Sequence, residues 1–187
     1  SCATFLPEDG KNRLIENNGW TRLLAARGDK AVVSALNDAF GLNWEGISLP
    51  PDGNLIALSP TSGIRIGLHG EGIRTALRML IFLRTLQGWI VNLEEPECHQ
   101  HPGALKKLAL AVCQQAKPIE QQLIVTTHSE TCIDAFLDGA EKAGMTAAVY
   151  HLALDDHGTL STRRFSPKDI RELEAMGADV RFTDLYA

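Results

Sequence analysis

The sequence predicts an α/β fold, a parallel sheet with flanking helices plus a small antiparallel β meander. Three observations predict it. "WIVNL" at 89–93 and "QLIVTT" at 122–127 are short apolar runs that read as buried strands. Each is followed by an amphipathic stretch of helical length, and strand–helix–strand–helix order argues for parallel strands joined by crossovers. Upstream, "NWEGISL", "NLIALS" and "GIRIGL" are separated by the turn signals "PPDG" at 50–53 and "PTSG" at 60–63, which is the pattern of an antiparallel meander.

The elements follow in order. Residues 19–40 carry a mostly polar helical pattern, with apolar positions at Leu23, Leu24, Val32, Val33 and Leu36. The meander occupies 44–68. After "HGEG" at 69–72 a long helix runs to about Gln87, its apolar face marked by Ile73, Ala76, Leu77, Leu80 and Ile81, and Gly88 stops it. Pro102 stands where a first helical turn begins, and "GALKKLALAVCQQA" is amphipathic. Ser129 is placed to cap the helix "ETCIDAFLDGAEKA". A last hairpin pairs "TAAVYHLALDD" with "GTLSTRRF" across Asp156-His157-Gly158, and Ser166-Pro167-Lys168-Asp169 opens a final helix. One domain is expected, with a helical segment at 1–43, the meander, a core at 69–145, and the hairpin and helix at 146–187.

Composition narrows the function classes. The chain has 187 residues and a formal net charge of -5, which argues against a mainly electrostatic grip on DNA or an anionic membrane. The longest purely apolar block, "MLIFL" at 79–83, is far too short to span a bilayer. "SCATFLPEDG" has no basic region leading into an apolar one, so no signal peptide is expected. Cys2, Cys98, Cys113 and Cys132 form no CxxC pair, and reduced thiols in a cytoplasmic protein are the expectation.

The chemistry concentrates where the strands end. In an open parallel sheet, sites form at the carboxyl ends of the strands. "WIVNL" runs into Glu94 and Glu95, and "LIVTT" delivers His128 to the corresponding end of another strand. If the two strands are neighbours, carboxylates and imidazole face one crevice. Carboxylates at a buried strand end need a partner, because desolvating them is costly, and a divalent cation such as Mg²⁺ supplies one. A second carboxylate orients or deprotonates water, and a histidine donates to a phosphoryl oxygen. The glycines of "HGEG" admit an anion to backbone N–H groups at a helix N-terminus.

That order of segments resembles the C-terminal half of an ABC-type ATPase head, of the P-loop NTPase fold, in the OLD-like and SMC-like branch of AAA-labelled bacterial ATPases. "LHGEGIRTALRML" is similar to the signature motif and its helix, "WIVNLEEPE" to Walker B with the adjacent catalytic acid, and "ECHQHP" to the D-loop. "LIVTTHSETCIDAF" is similar to the switch-histidine segment, and "GADVRFTDLY" to the closing segment. The resemblance covers roughly residues 44–187 and implies ATP and Mg²⁺ as cofactors. It places Glu94 as the Mg²⁺-supporting acid, Glu95 as the base or water-orienting acid and His128 as the γ-phosphate sensor. Gly70, Glu71 and Gly72 would form the signature turn against ATP of the opposite subunit. A head-to-head homodimer, or a chain that supplies the Walker A half, follows as partner, with nucleic acid possible in the full assembly. The family's usual residue at Glu94 is Asp, one methylene shorter.

No stretch reads GxxxxGK followed by Ser or Thr, so the sequence reads as part of a head, completed by a phosphate cradle from elsewhere. "FLPEDGKN" at 5–12 offers Gly10-Lys11, but Phe5 and Asn12 depart from the pattern. Plainer readings stand beside these. Glu94, Glu95 and Glu97 also suit a solvated loop, or the acids of a metal-dependent nuclease. Glu71 suits a dipole-compensating acid in a first helical turn. His128 suits a core or capping residue. Cys98, His99 and His101 are zinc-ligand types at poor spacing. The same fold without turnover would serve as an interaction module.

Overall fold

The computed structural model describes residues 1–7 and 15–181. The phosphate-loop candidate at 5–12 and the closing segment therefore fall partly outside the described residues, the first beyond Pro7 and the second beyond Arg181.

Eight strands and six α-helices are described. The parallel sheet holds β1 (Cys2–Phe5), β5 (Ile90–Glu94) and β6 (Leu123–Thr126), in the order β1-β5-β6. Its register sets Thr4 beside Asn92, Val91 beside Leu123 and Glu94 beside Thr126. The meander is β2 (Gly46–Ser48), β3 (Ile56–Leu58) and β4 (Gly63–Arg65), antiparallel as expected. β7 (Val149–Leu154) and β8 (Leu160–Phe165) form the expected hairpin.

The helices are α1 (Trp20–Ala25), α2 (Asp29–Phe40), α3 (Glu71–Thr85), α4 (Pro102–Ala116), α5 (Glu130–Lys142) and α6 (Pro167–Ala175). Local signals set their ends. His101 Nδ1 accepts from the Gly103 amide at 3.2 Å ahead of α4, with Pro102 at the first position. Ser129 Oγ accepts from the Cys132 amide at 3.3 Å. Ser166 and Asp169 cap α6 reciprocally.

Two elements differ from expectation. The single helical pattern over 19–40 is two helices, because the chain turns at Arg27, whose φ is 54°. The Arg27 and Gly28 amides fold back onto the Leu24 and Leu23 carbonyls at 3.1 and 2.8 Å, closing α1, and Leu24 is left exposed. Strand β1 was not legible as a strand. It is four residues long, and it exists through pairing with residues 88 positions away, as Cys2 opposite Ile90 shows.

The core lies between the parallel sheet and the helices. Phe5, Val91 and Leu93 from the sheet meet Leu77, Leu80 and Ile81 of α3 and Leu108 and Val112 of α4. Phe5 reaches Phe82 with ring centroids 5.6 Å apart. Helix α3 is buried on nearly every side, including Thr75 and Arg78. Arg78, 3 % exposed, donates to Glu16 at 2.6 Å and Glu71 at 2.9 Å. A charge so deep is retained only with partners of this kind.

Candidate functional site

Strand alternation positions the site. In β5, Val91 and Leu93 point into the core, which turns Asn92 and Glu94 to the other face. The chain leaves β5 through Glu95, whose φ of 42° is a left-handed conformation uncommon for a side-chain-bearing residue. Its amide donates to the Thr126 carbonyl at 2.9 Å, so the turn stays tied to β6. Pro96 is buried and ends the strand. Thr126, Thr127 and His128 follow from β6. Together Asn92, Glu94, Glu95, Thr126, Thr127 and His128 line an open pocket of about 230 Å³.

The sequence-based expectation of one crevice is therefore met in geometry. β5 and β6 are neighbours, and Glu94, Glu95 and His128 share a pocket at their carboxyl ends. All three side chains are exposed. The volume is below the range of whole-cofactor pockets, so it suits the phosphate end of a larger ligand.

Asn92 belongs to this pocket and was not singled out from sequence. Its Oδ1 is buried with no hydrogen-bond partner among the described residues. The signal was present: a carboxamide inside "IVNLE", two residues before Glu94 and so on the same face. The donor set of carboxylate, amide and hydroxyl oxygens fits a hard cation such as Mg²⁺. Among the described residues no three His, Cys, Asp or Glu side chains cluster tightly enough to hold a metal ion unaided. A cation here needs water and phosphate oxygens to fill its shell, which is how Mg²⁺ ordinarily binds.

The three residues of the "HGEG" turn are not equivalent. Gly70 caps α3, is exposed, and has open space where a Cβ would stand. The space beside Gly72 is filled from within: a Cβ there would meet the His99 carbonyl oxygen at 2.8 Å. Gln100 Nε2 also donates to the Gly72 carbonyl at 2.9 Å. The Glu71 carboxylate is occupied by Arg74 at 2.6 Å and Arg78 at 2.9 Å. Gly70 is the position with room for an approaching anion. Gly72 serves close packing of α3 on the 95–101 loop, and Glu71 serves the buried arginine.

Glu97 does not line the pocket. Its Oε1 accepts from the Thr127 hydroxyl, and Thr127 Oγ1 accepts from the Ser129 amide at 2.9 Å. The buried Cys132 thiol lies beneath. Burial pushes its pKa up, and the Glu97 charge and a hydrogen bond to it push the same way. A three-acid nuclease cluster is therefore not what these residues form. Of the zinc candidates, His101 caps α4, which removes it from any shared cluster with Cys98 and His99. On the far side of His128, Arg181 Nη1 donates to the His128 carbonyl at 3.0 Å, and Asp179 holds the same guanidinium. Pairing with Arg181 lowers the Asp179 pKa.

Comparison with known proteins gives the fold. No family model matches the chain. An uncharacterised protein of Methanocaldococcus jannaschii is 27% identical over 113 residues, covering 60% of this chain and 98% of that protein. An SMC ATPase, solved to describe ATP-driven dimerisation and DNA-stimulated activation, superposes with a TM-score of 0.54 at 13% identity, over 87% of this chain and 98% of that one. The SMC head of Pyrococcus furiosus, with an extended coiled coil and bound to the C-terminal domain of ScpA, gives 0.55 at 16% identity over 86% of this chain. The SMC head of Pyrococcus yayanosii, with a coiled coil and joint, gives 0.56 at 13% identity, again over 86%. This chain spans 40% and 30% of those two Pyrococcus chains. With its parallel sheet and small antiparallel sheets, the chain has the fold of an SMC-type ATPase head.

Proposed function

We propose that this chain is the C-terminal portion of an ABC-type, OLD-like or SMC-like ATPase head, which binds and hydrolyses ATP once a Walker A segment completes it and two heads dimerise. One observation carries the proposal: Glu94, Glu95 and His128 converge at the carboxyl ends of adjacent parallel strands in a chain folded like an SMC head. Supporting it, the outer edge of β6 has no strand partner among the described residues, and Ile124 at its centre is 44% exposed. Parallel sheets are normally covered on both faces, and an edge strand presents unpaired N–H and C=O groups, so this edge suits an added strand.

The residues divide the work. Glu95, at the strand end, orients and deprotonates the attacking water. His128 donates to the γ-phosphoryl oxygens as charge builds there. Glu94 and Asn92 would hold Mg²⁺, and the ion would neutralise phosphate charge. Gly70 presents the N-terminus of α3 to nucleotide on the opposite head. Most of the acceleration comes from positioning, as in phosphoryl transfer generally.

The test is light scattering on the complete protein or complex that contains this chain. With Glu95→Gln, ATP and Mg²⁺ convert it to a stable species of twice the mass, because hydrolysis no longer resolves the dimer. An unchanged mass with bound ATP counts against a composite site. A second reading, an interaction module without turnover, is favoured by Glu71 and Gly72 already being occupied within the chain. It predicts that Glu95→Gln leaves the partner's behaviour as in wild type.

A further inference from the structure

We infer that Glu97 is a positioning residue, which sets the place of His128 by holding Thr127 and, through it, the first turn of α5. The inference deepens the proposed function by naming what fixes its histidine, but the contact on which it stands is independent of nucleotide.

The geometry is specific. Residues 95–101 form a tight loop, closed by the Cys98 amide on the Glu95 carbonyl at 3.0 Å and the Gln100 amide on the Glu97 carbonyl at 2.9 Å. From this loop Glu97 reaches across 30 positions to accept from the Thr127 hydroxyl. Thr127 Oγ1 in turn accepts from the Ser129 amide at 2.9 Å. His128 lies between those two residues, so its peptide is fixed on both sides. Glu97 Oε2 is itself buried, over Cys132 at the base of α5. A half-buried carboxylate in water-poor surroundings forms a strong, directional anchor for a hydroxyl.

The same loop is tied at its other end. Gln100 donates to the Gly72 carbonyl, and the His99 carbonyl occupies the space over Gly72. Glu95 stands just ahead of both ties, in its left-handed conformation. Glu97 therefore fixes the relative placement of Glu95, on its own loop, and His128, on the next. Arg181 holds the His128 carbonyl from the opposite side. The imidazole is left exposed while its backbone is held, which is what a group that must meet an incoming ligand requires.

The experiment compares Glu97→Ala, Glu97→Gln and Thr127→Val in the full chain without nucleotide. It follows the His128 ring signals by NMR and the hydrogen exchange of the Ser129 amide. Glu97→Ala and Thr127→Val should displace the His128 signals and speed Ser129 exchange roughly tenfold, the loss of about one hydrogen bond. Glu97→Gln keeps an acceptor oxygen and should restore both. In the assembled head, Glu97→Ala should lower kcat with KM unchanged. If Glu97→Ala does not fold, Thr127→Val removes the same bond and decides the matter. Unmoved His128 signals in a folded variant overturn the inference. So does an exchange increase spread evenly over the molecule and not restored by glutamine. Failure of the assembled head to hydrolyse ATP would remove the proposed function while leaving the NMR result intact.

Discussion

Arg78 and Glu174 show how single groups couple sequence to stability. Arg78 is nearly inaccessible and balanced by Glu16 and Glu71. Arg78→Ala leaves Glu16 largely buried without its counter-charge and should cost about 3 kcal/mol in urea denaturation. Glu174 works in the opposite sense. A hydrogen bond shared with Asp134, then partial burial and the Asp134 and Glu130 charges, push its pKa up to about 7. Because the folded value is raised, its contribution is complete below the ordinary carboxylate range and is lost as pH rises through 7. Glu174→Gln should match wild type in thermal melting at pH 5 and exceed it at pH 8. The pair is exposed and screened, so the gain is below about 1 kcal/mol. Equal effects at both pH values would refute the shared proton.

The elements show what was legible in the chain and what was not. The caps at Ser129 and Ser166 and the proline start at Pro102 follow from neighbouring residues alone, so sequence suffices for them. That β5 and β6 are buried parallel strands was legible from their apolar runs, but their adjacency was not, because an apolar run does not say which strand lies beside it. Strand β1 was not, since four residues carry too little pattern and its partner lies far along the chain. Gly72 also looked local, as a glycine for anion approach, but the His99 carbonyl from a distant loop fills the space. Asn92 could have been found as the polar interruption of a buried strand. Gly139 is a further non-local case. A Cβ there would meet Ala109 and Leu110 backbone atoms at 3.0 Å, where α5 lies against α4. Backbone cannot yield cheaply, so Gly139→Ala should destabilise by about 1–3 kcal/mol in chemical denaturation, although alanine favours helix. A neutral or stabilising result would mean that the helices sit further apart.

At the scale of the whole molecule, several surfaces are left uncovered among the described residues. Among the described residues β6 is paired along one edge, and the β7–β8 hairpin exposes Tyr150, Leu152, Leu154 and Leu160 on one face at 60%, 60%, 70% and 59%. Alternation along β7 puts these side chains together, opposite the face that carries Val149, His151 and Ala153. Apolar side chains in such a row favour coverage by further protein, and the pocket at the β5 and β6 ends is likewise open. Among the described residues no helix is long and apolar enough to cross a membrane. The proposed function makes the Glu94–Glu95–His128 pocket the catalytic half of an ATP site. The measurement that tests it most directly is steady-state ATP hydrolysis by the complete protein or complex containing this chain, with and without Glu95→Gln. The account predicts Mg²⁺-dependent hydrolysis that falls at least about 100-fold in the variant while ATP binding persists. Hydrolysis unchanged by Glu95→Gln, or absent from the complete wild-type assembly, would contradict it.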